Sequence, residues 1–212
     1  HLMIEDVIDP LINKALNDEE WNVREAAVSS IGNIIDHIEY KEPIIEKLVL
    51  LLDDKQGWVR RSVINILSGI EQIEDSQIPY EKLLKSLSDD DSKVREASAG
   101  LLKIYSKQID RIFDKIITLL EDESEDVRNS MINETVEIIQ NIGLETILSR
   151  LLQNLSDEGS MNAQRSISVI LGRTAKYEDE KIKKRVIALL KIRCEMSQDP
   201  IICKTLNDLR KS

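Results

Sequence analysis

Apolar residues recur at three- and four-residue spacing along nearly the whole chain, as in Leu48, Leu51 and Leu52, or Ile112, Phe113, Ile116, Ile117 and Leu120. That period puts them on one face of successive amphipathic helices, and the alternation of a half-buried strand is missing from the pattern. Helix punctuation falls between the periodic runs. Pro43 and Pro79 suit first helical turns, where a missing N–H costs nothing; Asp199-Pro200 reads as an N-cap followed by a helix start, and Gly143 suits a helix end. These breaks predict six helical hairpins over 4–38, 42–72, 79–108, 109–141, 144–176 and 179–211. Pro10 falls inside or at the start of the first helix, where a kink is expected.

The hairpins share a register. Val-Arg recurs at Val23-Arg24, Val59-Arg60, Val94-Arg95 and Val127-Arg128, and six residues before each arginine stands Asp18, Asp54, Asp89 or Asp122. The arginines are spaced by 36, 35 and 33 residues, and a degenerate copy follows 37 residues later at Arg165, with Gly159 and Gln164 in place of the aspartate and valine. Repeats of this length signal a solenoid of helical hairpins, none able to bury its apolar face alone. Aligned on the arginine, three positions form one core-facing stripe: the valine before it; Val28, Ile64, Ala99, Ile132 and Val169 four beyond; and Ile34, Ile70, Tyr105, Ile138 and Ala175 ten beyond. Small residues two beyond, Ala26, Ser62, Ala97 and Ser130, are expected to let the paired helices approach closely.

An aspartate at the hairpin turn and an arginine early in the next helix, repeated as D-x-x-x-x-V-R across residues 17–141, resemble HEAT repeats. The resemblance implies an all-α fold, a right-handed alpha-alpha superhelix of the HEAT-repeat, armadillo-like kind with about six helical hairpins. It implies a single domain over 3–212, with 176–212 as a candidate C-terminal cap. It also implies a ladder in which each carboxylate reaches backbone amides at the helix start and the arginine of the adjoining repeat. The chemistry suits this, because helix N-termini expose unpaired N–H groups and guanidinium is a two-pronged donor. Taken as exposed, such pairs contribute about 0–1 kcal/mol each against roughly 1.5–3 for a buried aliphatic side chain, so the ladder is expected to set register more than stability.

Composition narrows the function. Hydrophobic residues make up 42% of the chain but aromatics only 3%, which suits aliphatic layers and not an aromatic-lined pocket. A formal charge of -10 argues against a general nucleic-acid binder. Residues 176–212 nevertheless carry ten Lys or Arg against six Asp or Glu. The basic stretch 181–193 keeps a weak nucleic-acid option beside the plainer reading as a solvated helix face. Cys194 and Cys203 lack metal-ligand spacing and read as reduced structural thiols. The chain lacks an apolar run of about 18 residues and a signal-peptide pattern, so no membrane association and a cytoplasmic location are expected. His1-Leu2 ahead of Met3 reads as residue left by cloning and is set aside.

The inventory for chemistry is poor. Apart from His1, His37 is the one histidine, too few for a triad or a zinc site, and His37-Ile38-Glu39 lacks the adjacent His-Glu pairs of HEAT-like di-iron hydroxylases. The glycines form no phosphate-cradling loop. Asp89-Asp90-Asp91 has Val94 where a calcium loop needs glycine, and reads as a turn capping the next helix. No catalytic residue, metal or cofactor is expected.

The resemblance further implies that second helices line a concave face at positions one, five, eight and twelve beyond each arginine. The candidate partner-binding residues there are Glu25, Ser29, Arg61, Asn65, Glu96, Lys103, Asn129 and Asn133, in rows completed by Gly32, Asp36, Ser68, Gln72, Gly100, Lys107 and Gln140. Asn65 and Asn133 occupy equivalent sites, and their amides both donate and accept, as recognition of an extended backbone requires. Trp21 and Trp58, near two adjacent turns, are either interface anchors or turn-packing residues, packing being favoured. The function expected is a non-enzymatic scaffold or adaptor presenting a concave helical surface to a protein or peptide. The alternatives are a regulatory or assembly subunit of an enzyme complex and a HEAT-like lyase.

Overall fold

In a computed structural model that describes residues 4–71, 73–156 and 160–212, twelve α-helices and no strand occur among the described residues. They pair as α1 (Ile4–Asn17) with α2 (Trp21–Ile34), α3 (Glu42–Leu50) with α4 (Gly57–Gly69), and α5 (Tyr80–Ser86) with α6 (Ser92–Ala99). The later pairs are α7 (Ile109–Leu120) with α8 (Glu125–Ile142), α9 (Glu145–Ser156) with α10 (Met161–Thr174), and α11 (Glu180–Ser197) with α12 (Pro200–Lys211). Each pair occupies one expected hairpin; Gln72 and Gly159 lie outside the described residues. Pro10 sits inside α1, which continues through it. Pro43 occupies the first turn of α3, Pro79 is the N-cap of α5, and Gly143 ends α8 with φ +81°, a conformation that favours glycine.

The helices fall into two compact units, residues 1–104 and 105–212. In the first, the second helices α2, α4 and α6 stack in succession, with α1 against α2 and α3. The second repeats the scheme with α8, α10 and α12, while α9 packs on α11. The aliphatic stripe forms the core: Val59, Val94 and Val127, then Val28, Ile64 and Ala99, are all 0% exposed.

Three stripe assignments differ. Val23, in the first described hairpin, is 37% exposed where Val59, Val94 and Val127 are fully buried. In the same hairpin Ile35, not Ile34, takes the buried place, and Val169 is half-buried while its neighbour Ser168 turns inward. The small residues two beyond each arginine do not close the paired helices either. Ala26 is exposed and Ser62 faces the preceding second helix, where its hydroxyl donates to Glu25 Oε1 at 2.9 Å. The buried positions are three and four beyond, as in Ala27 and Val28 or Val63 and Ile64.

The ladder is present, and its geometry explains the six-residue spacing. In every described copy the aspartate carboxylate accepts the backbone N–H two residues on, from Glu20, Gln56, Asp91 and Ser124, forming a tight turn. The arginine six residues later folds back and donates Nη1 to the carbonyl of that same aspartate, at 2.9 Å for Arg24, 2.7 Å for Arg60, 2.8 Å for Arg95 and 2.7 Å for Arg128. Its other edge grips the next repeat. Arg24 donates to both Asp54 oxygens at 2.7 and 2.8 Å, and Arg60 to both Asp89 oxygens at 2.7 and 2.6 Å. Arg165 of the degenerate copy donates to Asp199 at 2.8 Å, so Asp199 is both the N-cap of α12 and a rung. Asp18, with no preceding arginine, pairs with Lys14.

The Arg24 and Arg60 pairs are not exposed, which departs from the weighting drawn from surface pairs: the side chains of Arg24 and Asp54 are 11% and 6% accessible, and those of Arg60 and Asp89 16% and 9%. Burial pushes the Asp54 carboxyl up, but the Arg24 guanidinium and the Gln56 N–H outweigh it and hold the group below its ordinary value. Asp199 is held low in the same way, burial opposed by Arg165 and the N–H groups of Ile202 and Ile201.

The two cysteines are also not free thiols. Cys194 and Cys203 are joined as a disulfide, because the left-handed residue Gln198 reverses the chain between α11 and α12 and brings their Cα atoms to 4.9 Å. Cysteine usage therefore gives no argument for a reducing compartment.

Two outcomes are expected from this fold. Arg60→Ala deprives the Asp89 carboxylate and the Asp54 carbonyl of their donor and costs about 3–5 kcal/mol, in the same range as the roughly 2–5 for Leu67→Ala. In urea denaturation, a double-mutant cycle with Asp89→Ala gives a coupling of about 1–3 kcal/mol, and a value under about 0.5 would place the rung among weak surface pairs. Because the folded carboxyls of Asp54 and Asp199 lie below their unfolded value, their contribution is complete above about pH 4 and is lost as pH falls through the folded value. Asp54→Asn makes the urea midpoint less sensitive to pH in that acid range.

Candidate functional site

Successive second helices lie close enough to form valleys between them. At Gly32 on α2, a Cβ would stand 2.9 Å from Ile66 Cγ1 on α4, so glycine is what lets the two helices approach. The valley they enclose is a groove of about 360 Å³, lined by Ser29, Gly32, Asn33, Asp36, Ser62, Asn65, Ile66 and Gly69. Its lining divides about evenly between polar groups, the hydroxyls and amides of Ser29, Ser62, Asn33 and Asn65, and apolar ones that include Ile35 and Ile66, and Asp36 is its one charged lining residue. Glu25, one turn before Ser29, ties the two helices together by accepting from Ser29 Oγ at 2.8 Å and Ser62 Oγ at 2.9 Å.

The expected site residues are thus divided. Ser29 and Asn65 share this groove with Gly32 and Asp36, and Glu25 joins it through Ser62. Ser68 is turned back on its own helix, donating to Ile64 O. Arg61 lies 5.9 Å from the centre of the Trp58 ring. Glu96 pairs with Lys93 on α6, and Lys103 is exposed on the 3-10 stretch that follows. Asn129 and Asn133 are exposed on α8, but Asn133 is not the equivalent of Asn65 in chemistry: its Oδ1 already accepts from Arg173 Nη1 on α10 at 2.7 Å.

Both tryptophans keep a large accessible surface beside their turns, Trp21 at 41% and Trp58 at 60%. Trp21 lines a separate hollow of about 440 Å³ with Leu16, Leu50 and Lys55, over the Arg24–Asp54 rung. Sequence reasoning missed Asn33, Ser62, Ile66 and Gly69 as groove residues. Ser62 carries a signal in the sequence, a small polar side chain at a fixed offset from the arginine, which suits packing and hydrogen bonding equally.

His37 ends the short 3-10 turn after α2 and is exposed. Among the described residues no group of three or more His, Cys, Asp or Glu could hold a metal ion, and no helix is long and apolar enough to cross a membrane. In the basic stretch 181–193, Arg193 is 7% exposed and turned toward Ser156 O, leaving the others on the outer surface of α11.

Comparison with known proteins agrees with this architecture. The family model described as HEAT repeats matches residues 8–103. Importin subunit beta-2 of Schizosaccharomyces pombe is 29% identical over 119 residues, which cover 49% of this chain and 13% of that protein. Among solved structures, YibA of E. coli is 24% identical and covers 98% of this chain and 69% of its own, with a TM-score of 0.60. A designed armadillo repeat protein in complex with the peptide (KR)4 is 16% identical over 96% of this chain and 98% of its own, with a TM-score of 0.56. Residues 8–103 match the HEAT-repeat family, and the likeness to these solved structures shows the same all-α helical-repeat fold over nearly the whole chain.

Proposed function

We propose that this chain is a non-enzymatic interaction scaffold that holds an extended segment of a partner protein along the face of its second helices. The observation that carries the reading is the groove between α2 and α4, open along its length and walled by Ser29, Asn33, Ser62 and Asn65. An extended peptide leaves its own N–H and C=O groups unpaired, and side-chain amides that donate and accept meet both kinds. A rigid wall of stacked helices lowers the ordering cost of such binding on the protein side. The designed armadillo relative, found in complex with a peptide, supports the same use of this fold.

A random peptide library displayed on phage and selected against the full chain tests it. Extended binders are expected to enrich, to compete with one another, and to weaken about five-fold on Asn65→Ala, the loss of roughly one hydrogen bond. Filling the valley by Gly32→Leu is expected to abolish binding, whereas Lys47→Ala, exposed on α3, the first helix of its hairpin, leaves it unchanged. A library that yields no binder, or binders indifferent to both groove substitutions, overturns the proposal.

A further inference from the structure

The second unit contains a valley of the same construction but of opposite chemistry. At Gly172 on α10 a Cβ would stand 2.4 Å from Thr205 Cγ2 on α12, so here too glycine sets the helix approach. The groove between them, about 560 Å³, carries Arg173, Lys176 and Lys204 against one carboxylate, Asp208, above an aliphatic floor that includes Val169 and Ile201. All four charged side chains are exposed, and among the described residues none of the three cations is in an ion pair. Arg173 is held in place by its bond to Asn133 and keeps its remaining donors, while Lys176 rests 4.7 Å from the Tyr177 ring.

We propose that this groove binds an acidic, partly aliphatic peptide segment of a partner protein. The inference rests on the scaffold reading above and adds the chemistry of a second site. Charge complementarity selects the occupant. Residues 1–104 carry 12 Lys or Arg against 21 Asp or Glu, a net of -9, whereas residues 105–212 carry 17 against 18, a net of -1. Three cations converging in a valley on this nearly neutral unit form a local positive field, which attracts carboxylates at close range. The floor decides between carboxylate and phosphate partners. Val169 and Ile201, 44% exposed, offer apolar contact to leucine or isoleucine side chains, and no aromatic lines the groove to stack a base. The chain's net charge of -10 also opposes a polyphosphate far more than a short segment with a few carboxylates.

Fluorescence anisotropy of the full chain with a labelled octapeptide of glutamates interrupted by leucine tests the proposal. Saturable binding is expected, weakened about ten-fold or more by Lys176→Glu with Lys204→Glu, and strengthened a few-fold by Asp208→Asn. Lys181→Glu with Lys184→Glu on α11 changes the net charge equally and is expected to leave the affinity unchanged, which separates the groove from bulk charge. Absence of binding, equal loss from the α11 pair, or tighter binding of a short DNA duplex sensitive to the same groove substitutions overturns the assignment. If phage-selected peptides still occupy the α2–α4 groove in that event, the scaffold reading stands and this site alone is lost.

Discussion

A single guanidinium that serves two turns holds these repeats in register. One edge of Arg24 or Arg60 closes its own hairpin turn through the carbonyl of the aspartate six residues back, and the other edge clamps both carboxylate oxygens of the next repeat's aspartate. Because the donor is planar and its fork rigid, both contacts are met only when the helix pairs sit at a fixed offset. The aliphatic stripe alone would tolerate sliding, since dispersion and burial are not directional. The rung removes that freedom, and the valley between α2 and α4 inherits a defined width from it.

Much of this was legible in the residue order. Where a motif and a period coincide, as at Asp54, Arg60 and Ile64, the element, the turn and the buried face all follow from spacing. The failures share a cause: they concern which neighbour a residue meets, and neighbours are a property of the stack. Val23 repeats the pattern of Val59 but is 37% exposed where Val59 is fully buried. Asp199 is a rung although no Val-Arg follows it, since only its distance from Arg165 in space qualifies it. Cys194 and Cys203 are nine residues apart, a separation without meaning until Gln198 turns the chain back on itself.

The proposed interaction face was partly legible for the same reason. Offsets from the arginine place Ser29, Gly32, Asp36 and Asn65 on one surface, and the structure gathers them into one groove. Offsets say nothing of what comes across from the next helix, so the contribution of Ser62 and the capture of Asn133 by Arg173 emerge only in three dimensions. Two grooves built by the same device, a glycine facing a side chain of the following second helix, differ in lining charge: one holds Asp36 alone, the other three cations and Asp208. Backbone geometry here is generic, and the difference between the grooves resides in the few lining positions that geometry leaves free.

Arg24 and Arg60 each look backward to their own turn and forward to the next, and Lys14 pairs with Asp18 in the first described turn. The joint between hairpins is therefore the same wherever a matching aspartate follows, whatever the identity of the residues facing solvent. A gene segment encoding one such hairpin could be copied or deleted in frame and the severed ends would still mate. Array length and surface chemistry are free to diverge independently, the one by duplication and the other by point substitution.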